Sequence, residues 1–415
     1  MGHAAFSRRD FGRLLALGGS ASVLPVPARA AAWLDQPAGE ALWTGVRSEF
    51  LLDPDLAMFN AANLCPASRR VVDVLERASR EIDRDPSPAN RRQLGEGREE
   101  ARRKVAAFLG AAPEDIVLTR NTSESNNLVS SGLDLGPGDE VLVFSDNHPS
   151  NLNAWRAKAE RRGFTVTSLE QPAPHPGAEA IVEQVTRAIG ARTRVLAFSH
   201  VTATVGDLMP AAELCRLARA RGVLTLVDGA QSFGVLNIDV GAMQPDFFTG
   251  SAHKWPCGAR ENGVLYVNPA AADRIKPSVI SLYAGAVGVS RQLEAHGQRD
   301  EAAMMAFGEA VTFQMEVGKA RIEARARELA TALVDGFSRI DGVVLGTSRD
   351  ATRRAAIVTI QTGSRPGGQI GAALYREDRI ICAPRGSSLR FSPHFYNTMA
   401  DVERAVAAVR RRMAE

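Results

Sequence analysis

Between Ile116 and Val227 short apolar runs alternate with longer amphipathic stretches, and this alternation leaves few folds open to the chain. Ile116–Thr119, Glu140–Ser145, Arg194–Ser199 and Val223–Val227 predict strands. The segments that begin at Asn121, at Asp146–Ser150 (running through Arg162) and at Ala211 (running to Arg221) predict helices. Strand–helix alternation implies an α/β fold, a largely parallel sheet with helices on both faces. Ligands on such sheets bind outside the carboxyl ends of the strands. The polar motifs fall at those ends: Thr122-Ser123, His148, Asp228 with Gln231, and Ser251-Ala252-His253-Lys254 after the apolar run Asp246-Phe247-Phe248. Four loops that converge on one rim carry more weight than any one of them.

The flanks read differently. Trp33 to Phe59 is an irregular lead-in, ending in the small-residue turn Asn60-Ala61-Ala62-Asn63, where a ligand is able to approach the backbone. Helices are predicted over Ser68–Arg84 and Gly97–Leu109, with Asp85-Pro86-Ser87-Pro88 as a polar break between them. Beyond residue 285 a long helical stretch, Arg299 to Ile340, leads into strands at Val343–Leu345, Ala356–Gln361, Arg379–Cys382 and Ser388–Ser392. Helices at Ile370–Glu377 and Met399–Met413 complete a smaller α+β lobe. The expected division is 1–32 leader, 33–68 segment joining the small lobe, 69–290 large domain and 291–415 small C-terminal domain.

Ser7-Arg8-Arg9-Asp10-Phe11, the mild apolar stretch Leu14 to Val26 and Ala28-Arg29-Ala30 have the order of a twin-arginine export signal with its cleavage site. The apolar part is too short, and too rich in Gly, Ser and Pro, for a stable membrane span. The expectation is a periplasmic protein handled folded by the twin-arginine machinery. A net charge of +3, with arginines spread among acids, gives no ground for nucleic acid as a partner. Cys65, Cys215, Cys257 and Cys382 form no CxxC pair and no metal-spaced cluster, so no metal is expected.

Of the 50 Lys and Arg residues only five are lysines, at 104, 158, 254, 276 and 319. A chain so biased towards arginine keeps lysine where an amine that loses its proton is needed, and Lys254 alone has a polar, strand-end setting. A lysine, a carboxylate, an imidazole and a hydroxyl-rich helix start are the parts that hold pyridoxal phosphate. Asp228 also fits a helix cap, His148 a plain loop histidine and Arg390 a surface arginine.

Leu226-Val227-Asp228-Gly229-Ala230-Gln231 and Ser251-Ala252-His253-Lys254, at this spacing, resemble the class V aminotransferase family of fold-type I pyridoxal phosphate enzymes. That family also holds cysteine desulfurases and isopenicillin N epimerase-like proteins. The resemblance implies a large domain with a mainly parallel, seven-stranded type of sheet and a smaller C-terminal domain. It implies that Lys254 carries the Schiff base, Asp228 pairs with the pyridinium nitrogen, Gln231 bonds the phenolic oxygen and His148 stacks on the ring. Thr122, Ser123, Ser251 and His253 are then phosphate ligands. Gln298 is the phosphate ligand given to a neighbouring subunit, hence a homodimer. Arg390 grips the substrate α-carboxylate. Apart from the resemblance, Arg385, by its nearness to Arg390, is a candidate for a side-chain carboxylate, and Asn63 is a candidate substrate contact.

The chain departs from the desulfurases in two places. The loop Ala383–Ser388 is short and carries no cysteine, and Ala203 stands in His200-Val201-Thr202-Ala203-Thr204 where those enzymes usually have Asn. Desulfurisation is therefore disfavoured. What remains is chemistry begun by α-proton removal from the external aldimine, with Lys254 as base. The substrate is an amino acid or a peptide-linked amine. Transamination is expected first; epimerisation or racemisation, elimination, and modification of a siderophore peptide precursor in the periplasm are alternatives. A non-catalytic pyridoxal phosphate-binding protein is disfavoured.

Overall fold

The computed structural model describes residue 33 and residues 39–282 and 285–415. The expected export signal lies outside the described residues. Within them, no helix is long and apolar enough to cross a membrane, and no cluster of His, Cys, Asp and Glu has the arrangement of a metal site.

The centre is a seven-stranded sheet. Its strands are β2 (Ile116–Thr119), β3 (Glu140–Phe144), β4 (Thr165–Leu169), β5 (Thr193–Ser199), β6 (Leu224–Asp228), β7 (Phe247–Ser251) and β8 (Gly263–Val267), in the order β2-β8-β7-β6-β5-β3-β4. β8 alone runs antiparallel to its neighbours. Alternating side chains serve two cores: Leu142, Phe144, Phe198 and Phe248 enter one, and Val141, Val143, Ala197 and Phe247 enter the other. Burial on both faces is why these strands read as continuous apolar runs.

The C-terminal lobe has a sheet of its own: β9 (Val344–Leu345), β10 (Val358–Gln361), β12 (Ala383–Arg385) and β13 (Ser388–Phe391), ordered β12-β13-β10-β9 with all pairs antiparallel. Helices Lys319–Phe337, Gly367–Asp378 and Met399–Ala414 cover it, burying Leu333, Phe337, Leu374, Ile360, Phe391 and Val409 in a separate core. The long helical stretch is two helices, Glu301–Val317 and Lys319–Phe337, broken at Gly318 with φ +100°. That φ is open to glycine and strained for other residues.

The lead-in is more ordered than expected. Glu40–Ser48 is a helix whose Leu42, Trp43 and Val46 are buried, and Arg47 ion-pairs with Asp401 at 3.0 Å. Three buried positions in nine residues are a weak periodic signal, and packing makes the helix. After it, β1 (Ala57–Met58) pairs in parallel with β11 (Ile380–Ile381), and Asn60 bridges Ser392. The second helix also begins earlier than Gly97. It spans Pro88–Leu109, with the Ser87 hydroxyl accepting from the Asn90 N–H at 3.3 Å and Pro88 in the first turn. The predicted break is thus only a cap, Asp85 to Ser87, and Pro88 is the favoured first helical residue.

Candidate active site

Parallel register lines up the strand ends: Ser199 pairs with Asp228, and Asp228 with Thr249. Asp228 closes β6 and is 2% exposed. Its Oδ2 accepts from Asn126 Nδ2 at 2.8 Å and Asn151 Nδ2 at 3.4 Å, and its Oδ1 accepts from the Ala230 N–H at 3.1 Å. Asn126 is itself fixed by the Thr249 hydroxyl at 3.2 Å. All three partners donate to it. The helix-cap reading of Asp228 is therefore only part of its role.

Lys254 sits in the turn after β7, closed by a hydrogen bond from the Cys257 N–H to the Lys254 carbonyl at 2.9 Å. The ammonium has no hydrogen-bond partner among the described residues. Burial lowers its pKa from 10.5 to about 8; Asp228 opposes that shift, and Arg390 and Arg385 add to it. Site-resolved labelling of the cofactor-free chain with an amine-selective acylating reagent is expected to rise roughly tenfold per pH unit towards pH 8 and then level off. A rise that continues beyond pH 10 contradicts this setting.

The helix Thr122–Gly132 starts beside the end of β7. The Thr122 N–H and hydroxyl meet the Ser251 hydroxyl at 2.9 and 2.7 Å, Asn121 caps the Glu124 N–H at 3.0 Å, and the Ser123 side chain is exposed. A Cβ on Gly263 in β8 would lie 2.8 Å from the Asn121 Cα, so glycine is what lets this helix start come so close to the sheet. A helix N-terminus flanked by hydroxyls suits a phosphate dianion. His253 is half-buried, and burial, then Lys254, takes its pKa down to about 4, so it faces the rim as neutral imidazole.

Gln231 is 4% exposed and held at both ends: its Nε2 donates to the Ala62 carbonyl and its Oε1 accepts from Trp255 Nε1, each at 2.9 Å. One amide N–H remains for a ligand. His148 caps the helix Pro149–Arg162, its Nδ1 accepting from the Ser150 N–H at 3.2 Å, and its ring is exposed on the cleft. Partial desolvation and then the charge of Lys254 push its pKa down, against Asp228.

Arg390, on β13, is 2% exposed, far from the surface arginine that the sequence also allowed. Its Nη1 donates to the Ala203 carbonyl at 2.8 Å and its Nη2 to Asn60 Oδ1 at 3.3 Å, while Nε has no partner among the described residues. Burial and Arg385 lower its pKa to about 10. Arg385 and Asn63 are exposed. Lys254 lies close enough to Asp228, Arg390 and Arg385, and His148 to all four, for their charges to bear on it. Gln298 lies outside that group: it is exposed and accepts from Arg91 Nη2 at 2.7 Å.

The cleft fits pyridoxal phosphate. It offers a helix start with hydroxyls, a buried carboxylate held by donors, a free amide N–H and a lysine with no hydrogen-bond partner among the described residues. Asn126, Asn151 and Trp255 carry no site assignment from the sequence, whereas the Ala62 carbonyl lies in the Asn60–Asn63 turn expected to approach a ligand. Asn126 is the fifth residue of its helix and Asn151 the third of its own, and that position behind a strand end is the available signal.

Comparison with known proteins points the same way. The family model described as aminotransferase class-V matches residues 67–405. Isopenicillin N epimerase of Amycolatopsis lactamdurans is 33% identical over 393 residues, covering 89% of this chain and 98% of that protein. A probable cysteine desulfurase of Halalkalibacterium halodurans is 32% identical over 276 residues, 64% of this chain and 66% of its own. Among solved structures, a C-DES variant with glycine covalently linked to its PLP cofactor superposes with a TM-score of 0.82 at 22% identity, covering 89% of this chain and 99% of that one.

Proposed function

This chain belongs to the class V aminotransferase family of pyridoxal phosphate enzymes, and on that premise we propose that it removes and returns the α-proton of an amino-acid or peptide-linked amine substrate. When bound, pyridoxal phosphate supplies an aldehyde for the lysine amine and a ring that withdraws electrons from the substrate carbon. Thr122, Ser123, Ser251 and His253 would hold its phosphate, Asp228 its ring nitrogen, Gln231 its phenolic oxygen and His148 its ring face. The Lys254 Nζ, with a pKa near 8, takes up and gives back a proton close to neutral pH. Arg390, with a free Nε–H and a spare N–H on each Nη, would grip the α-carboxylate in a two-pronged bond.

The observation that carries the reading is the partnerless, pKa-lowered lysine beside a donor-clamped carboxylate. Likeness along 98% of a protein named isopenicillin N epimerase favours epimerisation as the outcome. Transamination is the second reading, favoured by the family description. Sulfur transfer fits less well: all four thiols are buried, and burial pushes Cys382, nearest the β12–β13 hairpin, up to about 12. The export pattern in residues 7–30 supports a periplasmic enzyme carried out folded by the twin-arginine machinery. The family resemblance that gives Gln298 to a neighbouring subunit's phosphate supports a homodimer in which each copy completes the other's site.

The test is incubation of the holoprotein in D2O with L-amino acids and an amino-terminal peptide panel. Deuterium at Cα with inversion establishes epimerisation, a keto acid establishes transamination, and alanine with sulfide from cysteine establishes desulfurisation and overturns the reading. No exchange with any substrate overturns it too. In the same assay Arg385→Ala is expected to lower kcat/KM for acidic substrates about ten- to hundredfold, the worth of one charge-assisted hydrogen bond, and to spare neutral ones. An equal loss for both classes removes Arg385 from substrate selection.

A further inference from the structure

Trp255, the residue after Lys254, is fully buried, and its carbonyl and its indole N–H are both engaged. The carbonyl accepts from His394 Nε2, just past β13, and from Gln314 Nε2 in the helix Glu301–Val317, each at 2.6 Å. A carbonyl only accepts, so His394 carries a proton on Nε2. The His394 ring also stands edge-on to the indole, with centroids 5.1 Å apart. Held in this way, the indole Nε1–H donates to Gln231 Oε1 at 2.9 Å. On its other side Gln231 Nε2 donates to the Ala62 carbonyl, also at 2.9 Å. An indole nitrogen only donates and a backbone carbonyl only accepts. The two partners therefore admit one orientation of the Gln231 amide, with its oxygen on Trp255 and its NH2 on Ala62. What is left for the cleft is a donor.

We propose that Trp255 is a positioning residue that acts through Gln231, fixing its amide as a donor and so setting the pH at which the bound cofactor gives up the proton it shares with Lys254. The proposal rests on the reading of Gln231 as the residue that meets the cofactor's phenolic oxygen. A donor on that oxygen offsets its negative charge and loosens its hold on the shared proton, which then leaves at lower pH. A reversed amide would turn a lone pair towards the same oxygen and do the opposite. The indole N–H also polarises the amide it meets, which strengthens the N–H at the other end. One turn, closed by the Cys257 N–H on the Lys254 carbonyl, thus carries both the lysine and the side chain that tunes it. The role does not depend on which reaction follows proton removal.

The test is a pH titration of the full-length holoprotein without substrate, read as the midpoint at which the cofactor's visible band gives way to its near-ultraviolet one. Four proteins are compared: the wild type, Gln231→Ala, Trp255→Phe, and a protein with benzothienylalanine at position 255. That last residue keeps the shape of tryptophan but has sulfur in place of the N–H. Gln231→Ala is expected to raise the midpoint by about one to two pH units, the worth of one hydrogen bond to a charged oxygen. Both replacements of Trp255 are expected to raise it by about half a unit or more, part of that hydrogen bond. Wild-type midpoints in both of them, beside a raised one in Gln231→Ala, overturn the proposal and leave the reading of Gln231 standing. A shift with phenylalanine but none with the sulfur isostere assigns Trp255 to packing and overturns it too. An unmoved midpoint in Gln231→Ala overturns the reading of Gln231, and the proposal with it. If Trp255→Phe does not fold, the isostere decides.

Discussion

Lys254→Ala is expected to lose covalent attachment of the cofactor and at least about 10³–10⁴-fold in kcat, the scale of a missing general base. Lys254→Arg is expected to lose as much, because a guanidinium keeps the charge but does not give up its proton. The fold is expected to survive both, since the ammonium makes no hydrogen bond among the described residues. In the cofactor-free protein the alanine variant is expected to be the more stable at pH 7. The lysine pKa falls from 10.5 in the unfolded chain to about 8 in the fold, so below pH 8 folding buries a charged amine at a penalty. That penalty is about 3 kcal/mol before the lysine's partial exposure is discounted. Between pH 8 and 10.5 the unfolded chain binds more protons than the folded one, so wild-type stability rises with pH through that window. The gap between the two melting curves should therefore narrow as pH rises from 8 and close above 10.5. A gap that keeps its size, or an alanine variant less stable at pH 7, contradicts the buried, partnerless amine.

What the sequence disclosed about this site was the part written on strand ends. Asp228, Ser251 and Lys254 sit where an apolar run stops, and the parallel sheet carries them to one rim. Elements held by tertiary contact were harder to read. β4 has Thr165 and Thr167 on an exposed face at the sheet edge, so its alternation looks like loop, and the helix Ala178–Ala188 after it went unremarked too. The helix Glu40–Ser48 depends on a neighbouring core that a local window does not contain. Arg390 shows the same limit from the other side. One arginine among dozens has no distinguishing pattern, and only the β13 register and the Ala203 carbonyl reveal it as buried. Asn126 and Asn151 are ordinary helix residues until the fold turns both amides onto one carboxylate oxygen.

That pair of asparagines makes Asp228→Asn the second decisive variant. The carboxylate accepts from three donors, the two asparagine amides on Oδ2 and the Ala230 N–H on Oδ1. An amide has one oxygen, so its NH2 group must face either the Ala230 N–H or the two amides, and at least one buried donor loses its acceptor. Such a loss is worth about 1–3 kcal/mol of stability. Activity is expected to fall further, about 10²–10³-fold, because a neutral side chain no longer favours a protonated ring nitrogen in the bound cofactor. The two effects separate in the exchanged pair Asp228→Asn with Asn126→Asp. There the new carboxylate accepts from the amide opposite and still accepts the Thr249 hydroxyl, so the melting midpoint should recover in part, the Asn151 amide still lacking its acceptor. The charge now lies one residue too far from the ring, so kcat should not. Recovery of both together would mean that Asp228 acts only through packing, and recovery of neither would mean that Asn126 is not its main support.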